Sequence, residues 1–311
     1  MRVLIIFLDG IGLGQDDPRA NPFALADTPT LNSLAGGRRW LATTGIRDGA
    51  RSRFLPADPR MGVPGRPQSG TGQASIFTGI NVPALCGRHY GPKPDAATRS
   101  LLACDNLFKR TVDGGKSAAL LEAYPPSWHE AVNSGRRLRA SYQLAVHEAG
   151  LPIPDHEALL RGEALQVDWT GEQWSRQPGF PPTPRRTPRQ AGELLARLAG
   201  KYDLSLFAHW PSDVIGHRGT LADGVSLLER FDMVMAGLLS RWNDREGLVI
   251  ICSDHGNMEV IGDRRHTCND VPLVAIGRQR TLFDAGFRTL ADIAPRILQA
   301  LFASDGEPTA R

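Results

Sequence analysis

"RVLIIFLDGIGLG", residues 2–14, decides how this chain folds. Residues 2–8 form a continuous apolar, partly β-branched run, the pattern of a strand buried on both faces of a parallel sheet. Three glycines follow, as a dinucleotide-binding turn would have them, but the spacing fails. A GxGxxG loop opening at Gly10 would need glycine where Gln15 stands. What remains is Asp9 at the carboxyl end of a buried strand, the place where open α/β sheets bind ligands. The glycines then let the backbone turn away sharply beside it.

The same pattern recurs along the chain. SLFAHW (205–210) reads as a strand entering a loop, GLVIICSD (247–254) as a buried strand ending on acid, and VPLVAIG (271–277) as another apolar run. Between them, Leu221, Val225, Leu228, Phe231, Met235 and Leu238 give one helix its apolar face, and LADIAPRILQAL (290–301) closes as another. Thr28-Pro29 and Thr187-Pro188 pair an N-cap with a proline at the first helical position. Residues 46–68, rich in Arg, Pro and Gly, read as an irregular loop, and a helix is expected from about Ser69 to Gly79. Strands alternating with helices predict an α/β protein with a three-layer αβα core and a mostly parallel sheet. Strand signals thin out after residue 84, and the stretch ends in the proline-rich RQPGFPPTPRRTP (176–188). The expectation is a core from 1–84 and 186–311 with a small inserted cap domain over 85–185 and a stiff exit linker.

Bulk properties narrow the function. The 311 residues are 41% hydrophobic and 22% charged with a net charge of +3, ordinary for a globular protein. All but four of the 36 basic residues are arginine, with no basic tail, so nucleic-acid binding has little electrostatic support. Cys86, Cys104, Cys252 and Cys268 form no CxxC pair and read as reduced thiols, with Cys252 and Cys268 as packing residues. No run approaches a membrane span, and the apolar start is too short for a secretory signal. Cytoplasmic residence and no membrane partner are therefore expected; the oligomeric state stays open.

The chemistry lies at the strand ends. Asp9 ends the first strand, Asp213 and His217 follow the SLFAHW strand in PSDVIGH, Asp254 and His255 follow GLVIIC in SDHGNME, and His266 precedes VPLVAIG. Each alone has an ordinary reading: a turn cap, a solvated i,i+4 pair, a loop histidine. Together they place three carboxylates and three imidazoles on one edge of the sheet. That mixed set suits Mn²⁺ or Zn²⁺ better than ions preferring all-oxygen shells, and six ligands imply two ions. In GRPQSGTGQASIFTG (65–79), Ser69 stands where a helix begins. It is either an N-cap or a hydroxyl placed where a helix N-terminus favours phosphate.

FLDGIG, SGTGQASIFTG, DVIGH, SDHGNME and HTCNDVPL, in this order, resemble the alkaline phosphatase superfamily. Within it they are similar to the metal-dependent branch holding cofactor-independent phosphoglycerate mutase and phosphopentomutase. The TPTLNSLA (28–35) and terminal helices fit as well, so the resemblance spans residues 1–84 and 186–311. It implies one metal on Asp9, Ser69, Asp254 and His255, a second on Asp213, His217 and His266, and Ser69 as the nucleophile that becomes phosphorylated. The histidine-rich motif and arginine grip of the large-insert mutases have no counterpart here. Arg66, and Arg88, His89 and Lys93 in CGRHYGPKP (86–94), are candidate substrate contacts. The expected function is hydrolysis of a small phosphorylated metabolite by a two-metal phosphomonoesterase. The alternatives are a phosphomutase and a non-catalytic phospholigand-binding protein.

Overall fold

A computed structural model describes residues 1–176, 180, 182–284 and 286–303. Its centre is a seven-stranded sheet of β1 (Arg2–Leu8), β2 (Arg47–Asp48), β3 (Ser52–Ala57), β4 (Ala118–Leu120), β5 (Leu204–His209), β6 (Gly247–Cys252) and β7 (Val271–Ile276). The spatial order is β2-β3-β7-β6-β1-β5-β4. β1 pairs in parallel with β5 and β6, and β4 runs parallel to β5. β7 is antiparallel to β6 and β3 antiparallel to β7. The mostly parallel α/β sheet is thus present, with an antiparallel margin.

The alternation of β1 divides the core. Val3, Ile5 and Phe7 pack on one face with the helices Ser69–Thr78, Ser141–Glu148 and Ile293–Phe302. Leu4, Ile6 and Leu8 pack on the other with Pro188–Ala199 and Leu221–Arg241. These are the three layers of the expected αβα core. Thr187 caps its helix by accepting from the Gln190 amide, as its Thr-Pro signal predicts. Thr28, with the same signal, makes no side-chain cap bond.

Two readings of organisation need correction. Residues 46–68 are not all irregular loop, because β2 and β3 form an antiparallel ribbon against β7. Arginine and proline mask this strand pattern, and Pro56 is tolerated two strands from the sheet's centre. Nor is 85–185 set apart as an inserted cap. Its β4 extends the central sheet, and Leu102, Phe108, Leu120, Tyr142 and Val146 share the core that Phe7 and Phe77 occupy. The sequence hides this because β4 is three residues of Ala-Ala-Leu, weak strand formers whose place comes from packing. Of the proline-rich stretch 176–188, residues 177–179 and 181 lie outside the described residues. Among the described residues no helix is long and apolar enough to cross a membrane.

Candidate metal centre

The carboxyl ends of β1, β5 and β6 meet at one edge, and each delivers side chains there. Asp9 follows β1, Asp213 and His217 stand on the helix Pro211–Arg218 after β5, and Asp254 and His255 follow β6. His266 comes in on the loop before β7. Gly10 explains the first motif: its φ is +71°, and a Cβ there would sit 2.7 Å from Asp213 Oδ1. At Gly12 a Cβ would lie 2.1 Å from Glu259 Oε1. The glycines therefore make room for carboxylates that approach the β1 turn.

Ser69 is the first residue of its helix, not the cap, which is Gln68. Its hydroxyl points at the site, 2.9 Å from His255 Nε2. That nitrogen is also 3.4 Å from Asp9 Oδ1 and 3.6 Å from Asp254 Oδ2. Four residues on, one helical turn beyond Ser69, Gln73 Nε2 donates to Asp254 Oδ2 at 3.0 Å and to Asp9 Oδ2 at 3.3 Å. One amide thus links the two carboxylates. Burial, then Asp254 and Asp213, pushes the Asp9 carboxyl well above its ordinary range, and burial also pushes Asp254 up.

On the other side, Asp213 Oδ2 lies 3.4 Å from His217 Nε2, and Asp213 Oδ1 lies 3.7 Å from His266 Nε2. Asn257 Nδ2 holds Asp213 Oδ1 at 2.7 Å. His217 Nδ1 faces the Arg264 carbonyl at 2.7 Å and His266 Nδ1 faces that of Pro67 at 2.8 Å. With Nδ1 of each ring donating to a carbonyl, the two Nε2 atoms face each other at 3.2 Å. Burial, then His255 stacked at 3.6 Å, lowers His266 to about 4.

These features fit cations. Two imidazole Nε2 atoms converge, three carboxylates gather in one largely buried space, and Asp9 Oδ1 is buried without a hydrogen-bond partner. Two ligand groups emerge: Asp213, His217 and His266 in one, and Asp9, Asp213 and His255 in the other. The first is the expected set. In the second Asp213 joins Asp9 and His255, so this carboxylate faces both groups, with Asp254 and Ser69 alongside.

Behind the ligands sits Glu259, which the sequence reading missed although SDHGNME contains it. Its buried carboxylate accepts from the Gly12 amide at 3.0 Å, the Asn257 amide at 2.8 Å, Asn269 Nδ2 at 3.0 Å and the Thr267 hydroxyl. It ties together the loops that follow β1 and β6 and precede β7. Its signal was its place two residues after Asn257 in a ligand loop. Gln73 could have been found from its i+4 spacing to Ser69.

Above Ser69 opens a cleft of about 370 Å³ whose floor includes Asp9, Ser69, Gln73 and Asp213. Of the four expected substrate contacts only Lys93 lines it. Arg66 donates to the His266 carbonyl, Arg88 lies 3.9 Å from Asp95, and His89 faces the Val63 carbonyl at 3.3 Å. These three lie outside the cleft lining. Arg137, from the segment expected to be a cap, lines the cleft with Lys93. Burial, then Arg137, holds the Lys93 ammonium below its ordinary range. Cys252 is buried, as expected of a packing residue, but Cys268 is exposed.

Comparison with known proteins bears on this arrangement. The Metalloenzyme superfamily pattern matches residues 189–305, a span containing Asp213, His217, Asp254, His255 and His266. The backbone superposes over 96% of this chain and 98% of an alkaline phosphatase from the Antarctic bacterium TAB5, with a TM-score of 0.54 at 14% identity. The chain therefore shares the fold of that alkaline phosphatase, and its residues 189–305 carry the Metalloenzyme superfamily pattern. A second protein of similar fold is the PH0037 protein from Pyrococcus horikoshii, with a TM-score of 0.55 and 16% identity over 99% of this chain and 98% of that one. In sequence, the chain is 34% identical over 110 residues to the 2,3-bisphosphoglycerate-independent phosphoglycerate mutase of Methylobacillus flagellatus. That alignment takes in 33% of this chain and 21% of the mutase, so the chain matches about a fifth of that relative's length.

Proposed function

We propose that the protein is a two-metal phosphoryl-transfer enzyme, a phosphomonoester hydrolase that uses Ser69 as nucleophile on a small phosphorylated metabolite. Mn²⁺ or Zn²⁺ suits the mixed carboxylate and imidazole donors. The supporting observation is Ser69 itself: its hydroxyl is turned from capping duty toward His255 and Asp9, on the floor of a cleft lined by Lys93 and Arg137.

Asp213, His217 and His266 would hold one ion and Asp9, His255 and Asp213, flanked by Asp254, the other. When bound, the ions supply positive charge against the phosphate oxygens and against the attacking and leaving oxygens. The chain's own groups do the rest. Ser69, in the first turn of Ser69–Thr78, lies where the helix dipole favours phosphate. Its Oγ forms a bond to phosphorus while the ester oxygen leaves and takes up a proton, giving phosphoserine and the free alcohol. Water then attacks that phosphorus, Ser69 recovers its hydroxyl, and inorganic phosphate departs. Lys93 and Arg137 offset the charge of the dianion, and Gln73 keeps Asp9 and Asp254 in register.

The alternative reading is a phosphomutase, in which a substrate hydroxyl replaces water as acceptor. One experiment separates them. Protein loaded with Mn²⁺ is incubated with a set of phosphorylated metabolites while free phosphate and isomer are both followed. Phosphate release that falls at least about a thousandfold in Ser69→Ala is the expected result. Isomer formation without phosphate release would overturn the hydrolase.

A further inference from the structure

We propose that the cleft is built for a phosphomonoester whose alcohol part carries a planar aromatic ring; this rests on the phosphomonoesterase reading above. The walls come from four separate segments and converge on the same ring chemistry: Tyr124, Trp128, Tyr142, Trp174 and Trp210 all line the space above Ser69. Tyr124 and Trp128 lie against each other with centroids 4.3 Å apart. The tyrosine hydroxyls are not available to a ligand. Tyr142 donates to the fully buried Glu122 at 2.9 Å, Tyr124 also bonds Glu122, and the two hydroxyls are 2.7 Å apart. What these residues offer the cleft is ring edge from the buried Tyr124, Trp128, Tyr142 and Trp174 and open ring surface from Trp210.

Four of these rings also pack in the protein's cores, and at their edges they border about 370 Å³ of space continuous with the nucleophile. That volume lies near the small end of ligand sites, room for a phosphate and one ring system rather than a polypeptide. The cleft lining joins two chemistries. Lys93, close enough to Asp9 and to Arg137 to feel both charges, makes no ion pair among the described residues, nor does Arg137, while Trp210 is the most exposed of the five rings at 37%. An anionic head and an aromatic body match them. A polyhydroxylated sugar would set many of its hydroxyls against ring carbons, with the side chains of Ser127, Gln143 and Gln173 as the polar exceptions on the walls.

The test uses benzyl phosphate and cyclohexylmethyl phosphate, two primary-alcohol esters of similar bulk that differ in the planarity of the ring. The expected result is a kcat/KM about tenfold higher for the benzyl ester, with the ratio falling toward one in Trp128→Leu and in Trp174→Leu. Trp210→Leu, at the most exposed ring, serves if either buried substitution prevents folding, and it too should lower the ratio. Binding of the two corresponding phosphonates, which cannot be hydrolysed, is measured by calorimetry alongside. Phosphate release from both esters at equal efficiency, or equal phosphonate affinities, would overturn the aromatic site and leave the hydrolase standing. If neither ester releases phosphate, tighter binding of benzylphosphonate keeps the aromatic site and overturns only the hydrolysis.

Discussion

Replacing Gln73 with leucine separates the metal centre's support from its ligands. Gln73 Nε2 gives one N–H to Asp254 Oδ2 at 3.0 Å and the other to Asp9 Oδ2 at 3.3 Å, and both acceptors are buried. Leucine keeps the bulk on that helix face but offers no donor. Where a bound cation keeps both carboxylates ionised, two hydrogen bonds to them are worth about 3–6 kcal/mol together. Part of that returns once a cation satisfies the same oxygens, so the net loss should approach the usual cost of removing a residue that orients metal ligands. That cost is a 10- to 100-fold weaker affinity, roughly 1.4–2.8 kcal/mol. Calorimetric titration of wild type and Gln73→Leu with Mn²⁺ and with Zn²⁺ measures it, and circular dichroism confirms that the variant is folded. A folded Gln73→Leu that binds metal within twofold of wild type would refute the reasoning.

Glu122 should imprint a pH dependence on stability. Burial pushes its carboxyl from 4.5 up to about 8, so between those values the folded protein keeps a proton that the unfolded chain has released. Its contribution is complete below pH 4.5 and is lost as pH rises to 8, at about 1.4 kcal/mol per unit. Urea unfolding of wild type and Glu122→Gln at pH 5 and pH 8 should show the wild type losing more stability over that interval; parallel profiles would contradict this. Glu259→Gln should lower Tm by several degrees, because its buried carboxylate accepts from four donors and an amide would turn an N–H against one of them, at about 1–3 kcal/mol. Scanning calorimetry reads this, and an unchanged Tm would mean that those loops do not depend on Glu259.

The sheet and the ligands were legible for the same reason. β1, β5 and β6 are buried on both faces, so their sequences are largely apolar, and each strand ends within four residues of the next candidate site residue. β3 and β4 were not legible: one carries arginine and proline, the other is three small residues held by its neighbours. Asp9 and His255 announced themselves by position. Glu259 and Gln73 did not, because their role is to hold other residues, which needs three-dimensional proximity to be seen. Lys93 was found in a motif and Arg137 was missed. Nothing in the order GRRLRA distinguishes the arginine that faces the cleft from its neighbours.

The central claim is that Ser69 accepts the phosphoryl group. Wild type loaded with Mn²⁺ and mixed with excess phosphomonoester is quenched in acid within one turnover, digested and examined by peptide mass spectrometry. The peptide containing Ser69 should carry one phosphate, and Ser69→Ala should neither be labelled there nor turn over. Turnover with that peptide unmodified, and retained in Ser69→Ala, would contradict it.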